Sequence, residues 1–254
     1  MARKVSVTLR VFFDIDATLL LTDGAGRAAL RAALEKVYGT SGQLDGYAFH
    51  GKTDPQIVVE LLTGSGLDER GIRDRMPAMW PVYLEALQRE LDARRAEDRV
   101  TLLPGVPELL AELEVMEGVS LGLLTGNIEA AARMKLAAAG VTTKFEFGGY
   151  GSDSGVRTEI ARIAVERSRS RVSDTLGTQV LVVVGDTPED IACARSVRGR
   201  AVAVATGRHS VSELKQAGAD VVFSDFSDTE AVLSGILAPM ASETRGATDI
   251  GGDR

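Results

Sequence analysis

The sequence predicts an α/β fold: a parallel sheet with helices on both faces, interrupted after its first strand by a helical insertion. Three observations predict it. The runs "VSLGLLT" (119–125), "QVLVVVG" (179–185) and "AVAVAT" (201–206) are almost purely apolar, as strands buried on both faces of a sheet should be. Helical patterns separate these runs, and such alternation implies a parallel sheet covered by helices. Residues 22–100 show helical spacing and no strand pattern, so they read as a separate small helical domain.

The elements follow in order. The first strand is "VSVTLRVFF" (5–13). In the insertion, "AGRAALRAALEKVYG" (25–39) puts Leu30, Leu34 and Val37 on one face. "DPQIVVELL" (54–62) opens with Asp54 as N-cap and Pro55 at the first helical position. "WPVYLEALQRELDARRAED" (80–98) aligns Trp80, Leu84, Leu87 and Leu91, a stripe that reads as packing. Beyond the insertion, the Ala-rich helix 128–140 closes on Gly140. Strand "KFEFGGY" (144–150) and helices 157–168, 188–197 and 211–218 follow, with a last strand "DVVF" (220–223). "SVSE" (210–213) reads as a capping box. The expected division is a core of 1–21 and 100–240, a helical insertion of 22–99, and a tail, 241–254, without fixed structure.

The totals narrow the function. Of 254 residues, 44% are hydrophobic, enough for a substantial core. A net charge of −7 argues against a broad nucleic-acid surface and against anionic membranes. The single cysteine, Cys193, rules out an internal disulfide and a Cys-based metal site; on its helix it reads as packing. The apolar N-terminal run is interrupted by Arg10, Asp14 and Asp16 and followed by no small-residue cleavage site, so it reads as a strand and not a leader. A cytoplasmic protein is the expectation.

Chemistry is concentrated at strand ends. In open parallel sheets, ligands bind beyond the carboxyl ends of the strands. The first strand ends in Asp14 with Asp16 close behind; the run at 119 ends in Thr125, Gly126 and Asn127; the run at 179 ends in Asp186 and "TPED". If these strands are neighbours, Asp14, Asp16, Thr125 and Asp186 converge. Three carboxylates with no His or Cys form a site for a hard cation, Mg²⁺ above all. Such an ion can hold a phosphoryl oxygen, a carboxylate can attack phosphorus, and a second carboxyl can serve as acid and base.

"DIDATL" (14–19), "LLTGN" (123–127) and "VVGDTPED" (183–190), in this order, resemble the haloacid dehalogenase superfamily. "LLPGVPELLAEL" (102–113) resembles the segment by which that family's chain re-enters the core from its helical cap. The resemblance spans about residues 5–237 and implies a Rossmann-like sheet with an inserted α-helical cap, akin to the phosphoglycolate phosphatase and β-phosphoglucomutase branch. It implies Asp14 as nucleophile and Asp16 as acid/base. Thr125, Gly126 and Asn127 then bind phosphate, and Asp186 holds Mg²⁺ with Asp14 and the Asp16 carbonyl. Family members that displace halide lack the second aspartate, so the pattern resembles the phosphatases. The implied activity is hydrolysis of a small phosphorylated metabolite through an aspartyl-phosphate. A phosphomutase on the same scaffold is the alternative, and a non-catalytic phospho-accepting module a second one.

Two positions depart from the family. Ala17 stands where Gly is common, at a cost if its φ is positive. The family's basic residue, usually Lys, has no counterpart between Lys144 and Lys215; Arg157 matches best by position, and Lys144 is the runner-up. Other residues have two readings. Asn127 is either the N-cap of the helix at 128 or a phosphate ligand. Asp190 completes a capping box with Thr187, and equally suits a place beside the metal. "GKTD" (51–54) lacks the context of a phosphate-binding loop, but His50, Lys52 and Thr53 form a turn that the resemblance assigns to substrate selection. His209 reads as a loop residue at the site rim. Oligomeric state is not readable.

Overall fold

The computed structural model describes residues 8–171 and 179–248. The apolar runs form β1 (Thr8–Phe13), β4 (Val119–Leu124), β5 (Phe147–Gly149), β6 (Gln179–Gly185), β7 (Arg200–Val204) and β8 (Val221–Phe223). They make one parallel sheet in the order β5-β4-β1-β6-β7-β8. Every strand expected from the sequence is present; residues 5–7 of the first lie outside the described residues. Phe13 pairs with Leu123 on one side and with Val184 on the other. That register brings the ends of β1, β4 and β6 side by side.

Alternation along β1 divides the core in two. Leu9, Val11 and Phe13 pack under α4 (Val106–Glu114) and α9 (Thr229–Thr248). Phe12 faces the other cluster, with Ile160 of α6 (Arg157–Arg171) and Ile191 of α7 (Pro188–Ser196). Each fully buried apolar side chain of this size contributes about 1.5–3 kcal/mol, which explains why these runs contain so few polar residues. Helix α9 is continuous to Thr248, past position 241, where loss of structure was expected. The segment lacks an apolar stripe, but Ala241, Glu243, Arg245 and Ala247 favour helix and extend one already begun at Thr229. Residues 249–254 lie outside the described residues.

The insertion has its own core. Helices α1 (Ala25–Tyr38), α2 (Asp54–Thr63) and α3 (Glu69–Ala96) gather Leu34, Leu62, Met79 and Leu87 into one cluster. Helix α3 starts at Glu69, well before position 80. Gly71, Pro77 and Pro81 weaken the local signal there, but burial of Ile72, Met76 and Met79 overrides it. The N-cap of α2 is Thr53, not Asp54; the Thr53 side chain accepts from the Gln56 N–H. The chain enters and leaves the insertion through a ribbon that the helical reading of 22–100 did not include. In it, β2 (Leu20–Leu21) pairs antiparallel with β3 (Thr101–Leu102). Two residues per strand are too few for an alternating pattern to show. From the core, α5 (Glu129–Ala138) adds Ala131 to the insertion's cluster. Among the described residues no helix is long and apolar enough to cross a membrane.

Candidate active site

Asp14 follows β1, and its N–H donates to the Val184 carbonyl at 2.9 Å. Thr125 follows β4 and Asp186 follows β6. Asp14, Asp186 and Asp190 are all buried and present carboxylate oxygens within 4.8 Å of one another. Arg157, at the first position of α6, lies 3.8 Å from Asp14 Oδ2 and pairs with Asp190 Oδ1. Asp190 Oδ2 accepts from the Thr187 N–H at 3.1 Å and the Thr187 hydroxyl at 2.6 Å, closing the capping box. Asp190 therefore fits both of its readings at once. Lys144 is exposed and precedes β5, at the far end of the strand from the site.

The cluster holds more negative charge than its neighbours offset. Burial raises the Asp14 pKa to about 7, against the pull of Arg157. Burial, together with Asp190 and Asp14, raises that of Asp186 to about 8. Asp186 Oδ1 accepts from the Thr18 hydroxyl at 3.2 Å, but Oδ2 is buried without a partner among the described residues. A Cβ on Gly207 would collide with that oxygen, so only glycine leaves room for it. A buried, unpartnered carboxylate oxygen among other carboxylates fits a small hard cation, and an all-oxygen donor set fits Mg²⁺.

Asp16 belongs to a different group. Its carboxylate accepts from Lys135 Nζ at 2.8 and 2.7 Å and from Asn127 Nδ2 at 2.7 Å. Burial opposes its charge, yet Lys135 and then Asn127 hold its pKa below the usual value. Asn127 Nδ2 also donates to Thr125 Oγ1 at 2.8 Å. The Asn127 side chain is therefore committed to the site; the N-cap of α5 is Ile128, which makes no side-chain cap. The N-cap role for Asn127 is thus corrected. Lys135 escaped the sequence reading because it sits in an Ala-rich helix. The available signal was a lysine on the same face as Ala131 and Ala132, which are fully buried.

The turn before α2 meets the core here. The Asp54 N–H donates to the Gly126 carbonyl at 2.8 Å, and Asp54 Oδ2 accepts from the Ile128 N–H at 2.8 Å. A Cβ on Gly126 would collide with the Lys52 carbonyl. Burial raises the Asp54 pKa to about 6, partly offset by Lys135. Thr53 is fully buried, caps α2 and donates to the Gly155 carbonyl at 3.3 Å, so its position is that of a fastener and not of a substrate contact. Lys52 pairs with Glu60 and donates to the Tyr47 hydroxyl at 3.0 Å. His50 is exposed on the cavity's edge; the partial desolvation of its ring, then the charges of Arg208 and His209, lower its pKa. Ala17 has φ +58°, a conformation that costs an L residue about 1–2 kcal/mol. It is held by a bond from its N–H to the Leu20 carbonyl at 3.0 Å and one from the Thr206 hydroxyl to its own carbonyl at 2.5 Å. Cys193 is fully buried, and burial raises its thiol pKa to about 12.

These groups open on a cavity of about 780 Å³ between core and insertion. Asp14, Asp16, Thr125 and Arg157 line it from the core, and Tyr47, Phe49, His50 and Ile57 from the insertion.

The sequence profile of haloacid dehalogenase-like hydrolases matches residues 11–195. No curated protein matches the chain. Among solved structures, a hydrolase from Pseudomonas syringae is similar at 20% identity and TM-score 0.62, over 90% of this chain and 98% of that one. A protein described as a predicted phosphatase from Clostridium acetobutylicum is similar at 20% identity and TM-score 0.59, over 86% and 95%. CbbY from Rhodobacter sphaeroides in complex with phosphate is similar at 17% identity and TM-score 0.57, over 88% and 96%. At these identities the likeness is one of fold.

Proposed function

The chain belongs to the haloacid dehalogenase-like hydrolases, and on that premise we propose that it is a phosphatase, hydrolysing a small phosphate monoester through an aspartyl-phosphate on Asp14. The observation that carries this reading is the buried, unpartnered Asp186 Oδ2 within the Asp14, Asp186 and Asp190 cluster. Asp14, Asp186 and the Asp16 carbonyl would hold Mg²⁺, with Asp190 behind them. When bound, the ion supplies positive charge to the phosphoryl oxygens and keeps the carboxylates ionised. A phosphate-bound relative of the same fold supports the reading.

In this mechanism one Asp14 oxygen forms the bond to phosphorus as the ester oxygen leaves. Arg157 beside Asp14 offsets charge on the transferring group. The bonds at Thr125 Oγ1 come from the Asn127 N–H and Nδ2, which leaves the Thr125 O–H to donate to a phosphoryl oxygen. Asp16 faces the cavity and is held as a carboxylate by Lys135 and Asn127. It must first take up a proton from solvent, gives that proton to the leaving alkoxide, and then takes one from the water that cleaves the acyl phosphate. The helical insertion acts as a cap over the cavity and excludes water during transfer. His50 and Lys52 contribute to substrate choice from its edge.

The test is a panel of phosphorylated metabolites, with and without Mg²⁺, on wild type and Asp14→Asn. Phosphate release that needs Mg²⁺ and falls by at least about 10³-fold in Asp14→Asn is expected. Undiminished release in that variant overturns the reading. Isomer formation without phosphate release assigns a mutase instead.

A further inference from the structure

We propose that Lys135 is a positioning residue, whose buried ammonium fixes the Asp16 carboxylate at the cavity wall where the leaving oxygen of the ester arrives. The inference rests on the phosphatase reading and extends it to a residue that no sequence motif marks.

Lys135 is 5% exposed. Its Nζ donates to Asp16 Oδ1 at 2.8 Å, Asp16 Oδ2 at 2.7 Å and Asn127 Oδ1 at 2.6 Å. These acceptors use the whole donor capacity of an ammonium. The Asp16 side chain remains 45% exposed, so it is gripped from behind and open in front. Asn127 completes the grip by donating to Asp16 Oδ2 and to Thr125 Oγ1. One network thus ties the acid/base group to the hydroxyl that faces the phosphoryl group.

Lys135 is itself enclosed. A Cβ on Gly26 of α1 would lie 3.5 Å from Nζ and 3.8 Å from the Tyr83 hydroxyl of α3. The wall behind the lysine therefore comes from the insertion. Gly26 leaves the lysine room, and a longer side chain there would press on it. Without Lys135, Asp16 keeps only its bond from Asn127 and can turn out of line with the leaving oxygen. A misplacement of this kind costs rate without removing the group.

A positioning role acts through Asp16 and so matters only where Asp16 matters. An alkyl phosphate needs its leaving oxygen protonated; p-nitrophenyl phosphate, with a stable phenolate, does not. For Lys135→Met with Mg²⁺ present, the rate of the first-turnover burst of released alcohol, which reports transfer to Asp14 alone, should fall about 10²-fold on an alkyl phosphate, while the p-nitrophenol burst rate changes by less than about threefold. In an Asp16→Asn background, Lys135→Met should cause no further loss. Equal losses of burst rate on both esters, or an added loss in that background, would overturn the proposal. Lys135→Arg keeps the charge with a different fork; it should show the same ester dependence and serves if the Met variant does not fold. A crystal structure of either variant supplies a readout independent of turnover: Asp16 should be rotated from its wild-type position, and an unmoved carboxylate would overturn the proposal. Failure of the phosphatase reading would show separately, as wild-type hydrolysis that ignores Asp14→Asn.

Discussion

The Arg157 guanidinium pairs with Asp190 while lying 3.8 Å from Asp14, and all three side chains are at least nine-tenths buried. One cation thus serves two buried carboxylates. Removing one partner of such a group leaves uncompensated charge, which costs about 3–5 kcal/mol. Arg157→Met should therefore lose about 3 kcal/mol in urea denaturation at pH 8 without divalent ions. The loss should be smaller at pH 5, where the Asp14 carboxyl takes up a proton. Arg157→Lys should fall between wild type and Met, since a point charge cannot serve both acids equally well. A Met variant as stable as the Lys variant would count against this account of the charge balance.

Stability without metal should depend on pH in an unusual direction. Asp14 and Asp186 have pKa values raised to about 7 and about 8. Folded protein holds these protons more tightly than unfolded chain. The contribution is fully present below the unfolded value near 3.8 and is lost as pH rises through 7–8. In chelator, the melting temperature should drop between pH 5 and pH 8; Mg²⁺ at pH 8 should restore it, because binding to the folded state adds stability. A melting temperature indifferent to both would argue against the cation site.

Gly207→Ala should act on the same centre from outside it. The new Cβ meets Asp186 Oδ2, and the carboxylate must turn aside. The Mg²⁺ concentration giving half-maximal activity should rise by about tenfold or more. Gly71→Ala in α3 makes a control, since a Cβ there meets only Asp68 Oδ2 at an ordinary 3.8 Å. Identical Mg²⁺ titrations for the two variants would refute the role given to Gly207.

Legibility in the sequence followed the physics of burial. Strands β1, β4 and β6 lie inside the sheet, so the residues leading to their ends are apolar and the polar residue ending each stood out. Asp14, Thr125 and Asp186 were legible for that reason, and Arg157 by its place at a helix start. Lys135 was not, because a lysine on a helix is ordinarily solvated and only the tertiary structure shows that this face is covered. Asn127 was ambiguous: the residue before a helix is a capping position by local rules, and a distant carboxylate, Asp16, won its side chain. Thr53 and Asp54 were misassigned by one position for a similar reason. Both can cap, and the backbone of a separate loop decided between them.

The fastening of Thr53 and Asp54 to Gly155, Gly126 and Ile128 has an evolutionary consequence. The peptide that presents Thr125 is braced by residues from two genetically distant stretches, so the insertion is not a free-standing module. A chimera that exchanged residues 22–99 for those of a homologue would need acceptors and donors at the same two places, or the loop carrying the hydroxyl would lose its support. The cavity-lining side chains Phe49 and His50 lie ahead of that brace and form none of its bonds.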